Sequence, residues 1–287
     1  MPVLEHKKEE FKNYFGGMSE HNGLTTFTPI PKECDFLPGY YDFGKDYLGN
    51  IWAKKIKRKQ EKIYSLNSPM QTLVLNEYNR FVDLKDKYTA YQLAYKRCIL
   101  LEGPPGCGKS SLISQFIDAS VNNGQYVTNL NSIYDGYEVI QCFSDRPTLV
   151  IAEDIDKSFK NHDAEDLLEV LDGNSSYTNV FYLFTTNFKE RLPARLIARP
   201  GRVDRVIHMG YPSLADKSLY LQNVFPNEDM ILLESIARMS EEHSYADVKE
   251  LATRMFVFGE ESLEATAKEL ELTKAIASTL KDDDDED

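Results

Sequence analysis

A three-layer α/β core with a mainly parallel sheet, followed by a small all-helical C-terminal lid, is the architecture that the sequence predicts. Three observations carry it. From about residue 66 short apolar runs alternate with amphipathic stretches, one apolar run opens into a glycine-rich turn, and after Pro212 the runs cease.

The elements follow in order. Cys98-Ile99-Leu100-Leu101 reads as a buried strand. Leu112, Ile113, Phe116 and Ile117 then recur at helical spacing until Asn123-Gly124 stops the helix. Residues 126–130, 149–152, 180–185 and 206–209 supply four more strands, and Ala164, Leu167, Leu168 and Leu171 mark an amphipathic helix ending at Asp172-Gly173. Beyond Pro212, Ser213, Asn227 and Ser244 read as helix N-caps, and Ser244 with Asp247 as a capping box. Val248, Leu251, Ala252 and Met255 continue that last helix to Gly259, and a final one runs over 262–280. Residues 1–65, rich in Tyr, Phe, Gly and Pro and without clean periodicity, read as an irregular N-terminal extension. The domain boundaries expected are therefore 1–65, a core at 66–211, a helical lid at 212–280 and an acidic tail at 281–287.

Composition narrows the function classes. With 287 residues, 42% of them hydrophobic, the chain can bury a sizeable core. No apolar run reaches about 18 residues, so no membrane span is expected. The first ten residues are charged where a signal peptide is apolar, and four cysteines without CxxC spacing fit free thiols, so a cytoplasmic location is expected. The net charge of -13 repels polyphosphate, which makes nucleic acid a less favoured partner. Six acids and one lysine in residues 281–287 form a like-charge block that reads as disordered. The basic run at 54–59 reads as a solvated face rather than a nucleic-acid contact.

Gly103-Pro104-Pro105-Gly106-Cys107-Gly108-Lys109-Ser110 fits GxxxxGK[ST], after a strand and at the start of a helix, and Ser111 follows it. In that context the glycines let backbone N–H groups turn inward around phosphates, and the helix N-terminus adds positive potential. Lys109 is placed to reach the β- and γ-phosphates of ATP, and the Ser110 hydroxyl to reach Mg²⁺. The core is thus predicted to be a P-loop NTPase.

The strand at 149–152 delivers Glu153 and Asp154 at its C-terminal end, where ligands bind in open α/β sheets. One carboxylate is expected in the Mg²⁺ shell and the next to polarise the attacking water. Thr185-Thr186-Asn187 ends the following strand, and the Asn187 amide can orient that water. Arg191, Arg195, Arg199, Arg202 and Arg205 form a basic cluster with three readings: a nucleic-acid surface, salt bridges within the fold, or arginine fingers. The rigid Pro200-Gly201 turn between Arg199 and Arg202 favours the fingers, which neutralise transition-state charge.

These residues resemble the AAA family over about 95–211, and the helical module resembles it more weakly. The phrase from Tyr95 through Glu102 into the phosphate loop, the run Leu167-Leu168-Glu169-Val170-Leu171-Asp172-Gly173, Thr-Thr-Asn, and Arg199-Pro200-Gly201-Arg202-Val203-Asp204 all carry the resemblance. The Glu153-Asp154 order, reversed from most members, and Gly106-Cys107-Gly108-Lys109-Ser110-Ser111 are similar to the subfamily of the mitochondrial AAA chaperone that assembles respiratory complex III. The resemblance implies Walker A at 103–110, Walker B at 149–154 and sensor 1 at Asn187. It further implies Glu153 on the metal side, Asp154 beside the water, and Arg199 and Arg202 as fingers acting on a neighbouring subunit's ATP. Ala198 stands as a one-residue insertion before the fingers, and Tyr245 replaces the glycine of the family's Ser-Gly-Ala-Asp at 244–247.

The function this implies is ATP hydrolysis by a homo-oligomeric ring, a hexamer in the family, that remodels a protein complex. Two alternatives stand beside it: a AAA machine acting on DNA, and a slowly hydrolysing, nucleotide-gated scaffold. The turn Ile133-Tyr134-Asp135-Gly136-Tyr137 follows the second strand, where family unfoldases carry an aromatic pore loop.

Overall fold

A computed structural model describes residues 19–21, 24–26, 37–45, 51–57, 69–130, 147–158, 168, 170–172, 178–199, 201–239, 242–271 and 273. The acidic tail and the turn at 133–137 lie outside the described residues.

The described residues fall into two compact units: the residues up to Gly103 together with Lys109–His208, and Pro104–Gly108 together with the residues from Met209 on. The first unit holds a nine-stranded sheet in the order β1-β2-β4-β3-β6-β7-β8-β5-β9. The strands are β1 (Ser19–His21), β2 (Leu24–Thr26), β3 (Gly39–Lys45), β4 (Ile51–Lys55), β5 (Lys96–Glu102), β6 (Tyr126–Asn129), β7 (Thr148–Ala152), β8 (Val180–Thr186) and β9 (Arg205–His208). From β3 to β9 all neighbours run parallel, with β5 beside β8 from Lys96↔Val180 to Glu102↔Thr186. Crossover helices cover both faces of such a sheet, so its strands read as unbroken apolar runs. In β8 all seven residues are buried.

The helix Pro69–Asp83 was not read from the sequence. It buries Val74, Tyr78 and Phe81, spaced i, i+4, i+7 on one face. Tyr78 meets Phe116 and Phe181 edge-on at 5.2 and 4.9 Å, and Phe81 stacks on Tyr95 at 4.4 Å. This cluster ties the helices Pro69–Asp83 and Lys109–Asn122 to β8.

The expectation that 1–65 is an irregular extension is corrected. β1 to β4 lie within it, β3 pairs in parallel with β6, and β4 and β2 continue the sheet antiparallel. The glycines that obscured β3 serve packing: Gly44 faces Trp52 across the β3–β4 pair, and a β-carbon there would lie 2.3 Å from the indole. Lys54 and Lys55 of the basic run are exposed within β4, and Lys55 donates to the Pro38 carbonyl at 3.0 Å.

The second unit is helical beyond residue 213. Helices Leu214–Val224, Met230–Arg238 and Tyr245–Thr253 bury Leu221, Leu233, Ile236, Val248 and Leu251 together. Ser213 caps the first through Asp216 N, and Ser244 with Asp247 forms the capping box. The second is capped by Asp229, whose carboxylate accepts from Ile231 N at 3.1 Å, and not by Asn227. The third ends in a π-turn at Arg254–Phe258 closed by left-handed Gly259, and residues 263–271 are helical. Among the described residues no helix is long and apolar enough to cross a membrane.

Candidate functional site

The sheet order decides which loops meet. β8 lies between β7 and β5, so residues ending β8 stand between the acids after β7 and Gly103, which follows β5. Lys109 opens the helix Lys109–Asn122, and its side chain is buried. Its ammonium donates to the Gly103 carbonyl at 2.6 Å, so the cation already sits over the start of the loop. Gly103, Gly106 and Gly108 have φ of 149°, 76° and 93°, values that residues with a β-carbon rarely adopt. Cys98 and Cys107 are buried thiols.

Within the second unit the loop packs on the N-terminus of the helix Tyr245–Thr253. A β-carbon on Gly106 would stand 2.5 Å from Ser244 Oγ, and one on Gly108 3.6 Å from the Tyr245 ring. Tyr245 in turn meets Tyr220 edge-on at 5.1 Å, and burial raises its phenol pKa. Tyr245 therefore places an aromatic ring against the glycine-rich loop.

Glu153 is exposed just past β7, and Asp154 follows it with φ of 51°. Asp tolerates this left-handed conformation better than most residues do. Its N–H donates to Thr185 Oγ1 at 3.0 Å, which fixes the turn to β8. The Asn187 amide donates to Asp154 Oδ1 at 2.9 Å, and Lys157 Nζ donates to Oδ2 at 2.6 Å. Asp156 is buried and accepts from Thr186 Oγ1 at 2.6 Å, while that oxygen accepts from Phe188 N at 3.0 Å. The acids and the polar residue singled out in the sequence are thus brought together. Thr185, Asp156 and Lys157 were missed, although the i, i+3 spacing of Asp154 and Lys157 was there to be read.

The arginine cluster resolves into separate contacts. The Arg202 side chain is 6% exposed, bonds both oxygens of Asp172 through Nε and Nη2, and donates from Nη1 to the Arg195 carbonyl at 2.7 Å. This guanidinium holds the Asp172 carboxyl below its usual pKa. Arg205 pairs with Glu77, which Arg97 also approaches at 3.5 Å, and Arg191 lies 4.0 Å over the Phe188 ring. Asp204 accepts from Cys98 N at 2.8 Å, and its own N–H donates to the Cys98 carbonyl at 3.0 Å, so it extends the β5–β9 pairing. Arg199 is 63% exposed and touches Asp172 through Nη1 at 3.2 Å. Of the two expected fingers, Arg199 is presented outward. Arg202 instead has the geometry of the salt-bridge reading, because both Asp172 oxygens hold its guanidinium.

Comparison with known proteins agrees with this geometry. Residues 99–211 match the family described as "ATPase family associated with various cellular activities (AAA)". The chain is 34% identical over 176 residues to Protein HYPER-SENSITIVITY-RELATED 4 of Arabidopsis thaliana, covering 52% of this chain and 30% of that protein. It is 33% identical over 193 residues to AAA-ATPase At3g50940 of the same plant, covering 60% and 42%. It is 30% identical over 182 residues to the mitochondrial chaperone BCS1 of Homo sapiens, covering 57% and 43%. The chain thus spans less than half the length of each of these relatives. The match takes in the glycine-rich loop, Glu153, Asp154, Asn187 and the arginine turn, so residues 99–211 of this chain belong to the AAA ATPase family.

Proposed function

We propose that the chain hydrolyses ATP to ADP and phosphate, working as a homo-oligomeric ring that remodels a protein complex. The observation that supports it most is the convergence of Lys109, Asp154 and Asn187 at the ends of three neighbouring parallel strands. The residues fit a nucleotide: positive-φ glycines turn the loop, and a buried lysine stands over its first carbonyl. The donor set fits Mg²⁺ as well. Among the described residues no three His, Cys, Asp or Glu side chains form a protein-only metal cage. Mg²⁺ held with a nucleotide takes one or two protein oxygens, phosphates and water. Ser110 Oγ and a Glu153 carboxylate oxygen are the protein donors. Bound there, Mg²⁺ supplies neutralisation of phosphate charge.

In this reading Lys109 exchanges the Gly103 carbonyl for phosphate oxygens. Asn187 orients a water in line with the γ-phosphorus, and Asp154 draws its proton as the water oxygen attacks. The bond from phosphorus to the bridging oxygen then breaks, releasing ADP. Arg199 from a neighbouring copy neutralises the equatorial oxygens, consistent with the rings that AAA proteins typically form. Remodelling of a protein complex is supported by the likeness to a relative named a mitochondrial chaperone. One observation favours the slow scaffold as the second reading: both carboxylate oxygens of Asp154 are engaged within the chain.

Phosphate release from Mg²⁺-ATP tests the proposal. Turnover should be present in the wild type and nearly lost in Asp154→Asn, which should still bind ATP. Wild-type turnover in both Lys109→Ala and Asp154→Asn would overturn it. The Asp154→Asn chain, held with ATP, is also the bait with which to capture the protein complex.

A further inference from the structure

We propose that Lys157 is a positioning residue that restrains the Asp154 carboxylate and thereby holds down the basal rate of ATP hydrolysis. The inference rests on the reading above, in which Asp154 draws the proton from water. The main chain of Asp154 is fixed by its left-handed φ of 51° and by the bond from its N–H to Thr185 Oγ1. Only its side chain is left to adjust, and an aspartate has one methylene fewer than a glutamate with which to do so. Both oxygens are engaged: Oδ1 by the Asn187 amide at 2.9 Å and Oδ2 by the Lys157 ammonium at 2.6 Å.

The two partners differ in effect. Asn187 is neutral and ends β8, so it aims the carboxylate without changing its charge balance. Lys157 places a full positive charge on the other oxygen, which must leave the ammonium before it can turn toward a water. The bond to Asp154 raises the Lys157 pKa.

Lys157 is suited to a restraint that can be released. It stands in the short helix Ile155–Ser158, with its side chain 74% exposed. An exposed ion pair at this spacing contributes modestly, and its loss corresponds to a factor of about two to five in an equilibrium. Removal of the ammonium should therefore raise turnover by a comparable factor without unfolding the helix.

Steady-state ATPase kinetics on the full chain test this, using wild type, Lys157→Ala, Lys157→Arg, Asp154→Asn and the double variant Asp154→Asn/Lys157→Ala. Lys157→Ala should raise kcat about two- to five-fold with KM unchanged. Lys157→Arg should return the wild-type rate, and Lys157→Ala should add nothing in the Asp154→Asn background. An unchanged or lowered kcat in Lys157→Ala, at a wild-type melting temperature, would overturn the restraint. So would a change confined to KM. If Asp154→Asn is inactive while Lys157→Ala matches wild type, the restraint alone fails. If Asp154→Asn turns over at the wild-type rate, the role of Asp154 fails and the restraint falls with it.

Discussion

Gly106 lies against Ser244, so close that a β-carbon on the glycine would stand 2.5 Å from the serine hydroxyl oxygen. The serine is not free to move aside. Its Oγ accepts from Asp247 N at 3.3 Å and donates to Asp247 Oδ2 at 2.8 Å, while its own N–H donates to that same carboxylate oxygen at 2.8 Å. The capping box that starts the helix Tyr245–Thr253 therefore also sets the clearance of the phosphate loop.

Gly106→Ala should accordingly be more harmful than an ordinary loop substitution. The new methyl meets a pinned hydroxyl, and the φ of 76° disfavours any β-carbon. We expect a loss of about 2 kcal/mol in stability and a large drop in ATP affinity. Ser244→Gly, which removes the obstructing hydroxyl, should recover part of the affinity in the double variant. Thermal melts and titration calorimetry give both quantities, and a wild-type affinity in the single variant would refute the clearance argument.

Lys109→Ala should abolish measurable ATP binding and leave the fold intact. The lysine is buried, and its ammonium donates to a loop carbonyl. Truncation removes the one side-chain cation that the loop itself brings to phosphate. Titration calorimetry with Mg²⁺-ATP checks the first half, and the circular dichroism spectrum and melting temperature check the second.

Asp172 and Arg202 predict a pH signature in stability. Arg202 holds the Asp172 pKa below its unfolded value, so the pair's contribution is fully present above about pH 4. It is lost as the pH falls through the lower, folded-state value. Asp172→Ala leaves a buried guanidinium without its carboxylate, at a loss of about 3 kcal/mol near neutrality. Denaturant titrations of wild type and variant should show that gap at pH 7 and a narrowing gap below about pH 4. A gap independent of pH would mean that packing, and not the ion pair, holds the turn.

What the sequence revealed depends on how local each signal is. β5, β7 and β8 are continuous, mostly apolar runs ending at motif residues, and the structure extends them by three, one and one residues. The capping box at Ser244 is equally local. By contrast, β3 is a strand only because it pairs with β6, with Gly39 opposite Tyr126 far along the chain. Its Gly and Tyr content reads as a loop until Trp52 is seen covering Gly44. Asn227 and Asp229 are both good caps, and the one that the fold uses depends on where the helix Met230–Arg238 docks its apolar face. The two arginines of the turn look alike in sequence, and only the Asp172 side chain, from a separate segment, tells them apart.

That asymmetry gives the sharpest prediction. Arg202 is buried and bidentate on Asp172, whereas Arg199 is 63% exposed and shares the same carboxylate through a single nitrogen. Arg199→Ala should therefore fold with an unchanged melting temperature, bind ATP normally and fail to hydrolyse it. Arg202→Ala should instead lower the melting temperature, because Asp172 loses its main partner and the turn its anchor. If Arg199 acts on the ATP of a neighbouring copy, mixing Arg199→Ala with Lys109→Ala should recover part of the turnover. Some intact nucleotide sites, carried by Arg199→Ala copies, would then face intact arginines on Lys109→Ala copies. The recovered rate should follow the mixing ratio and vanish at dilutions that separate the copies. Mixed assemblies seen by mass photometry but without turnover would refute action between copies. Arg199 would then join Arg202 as a counter-ion of Asp172, holding its own turn to the core.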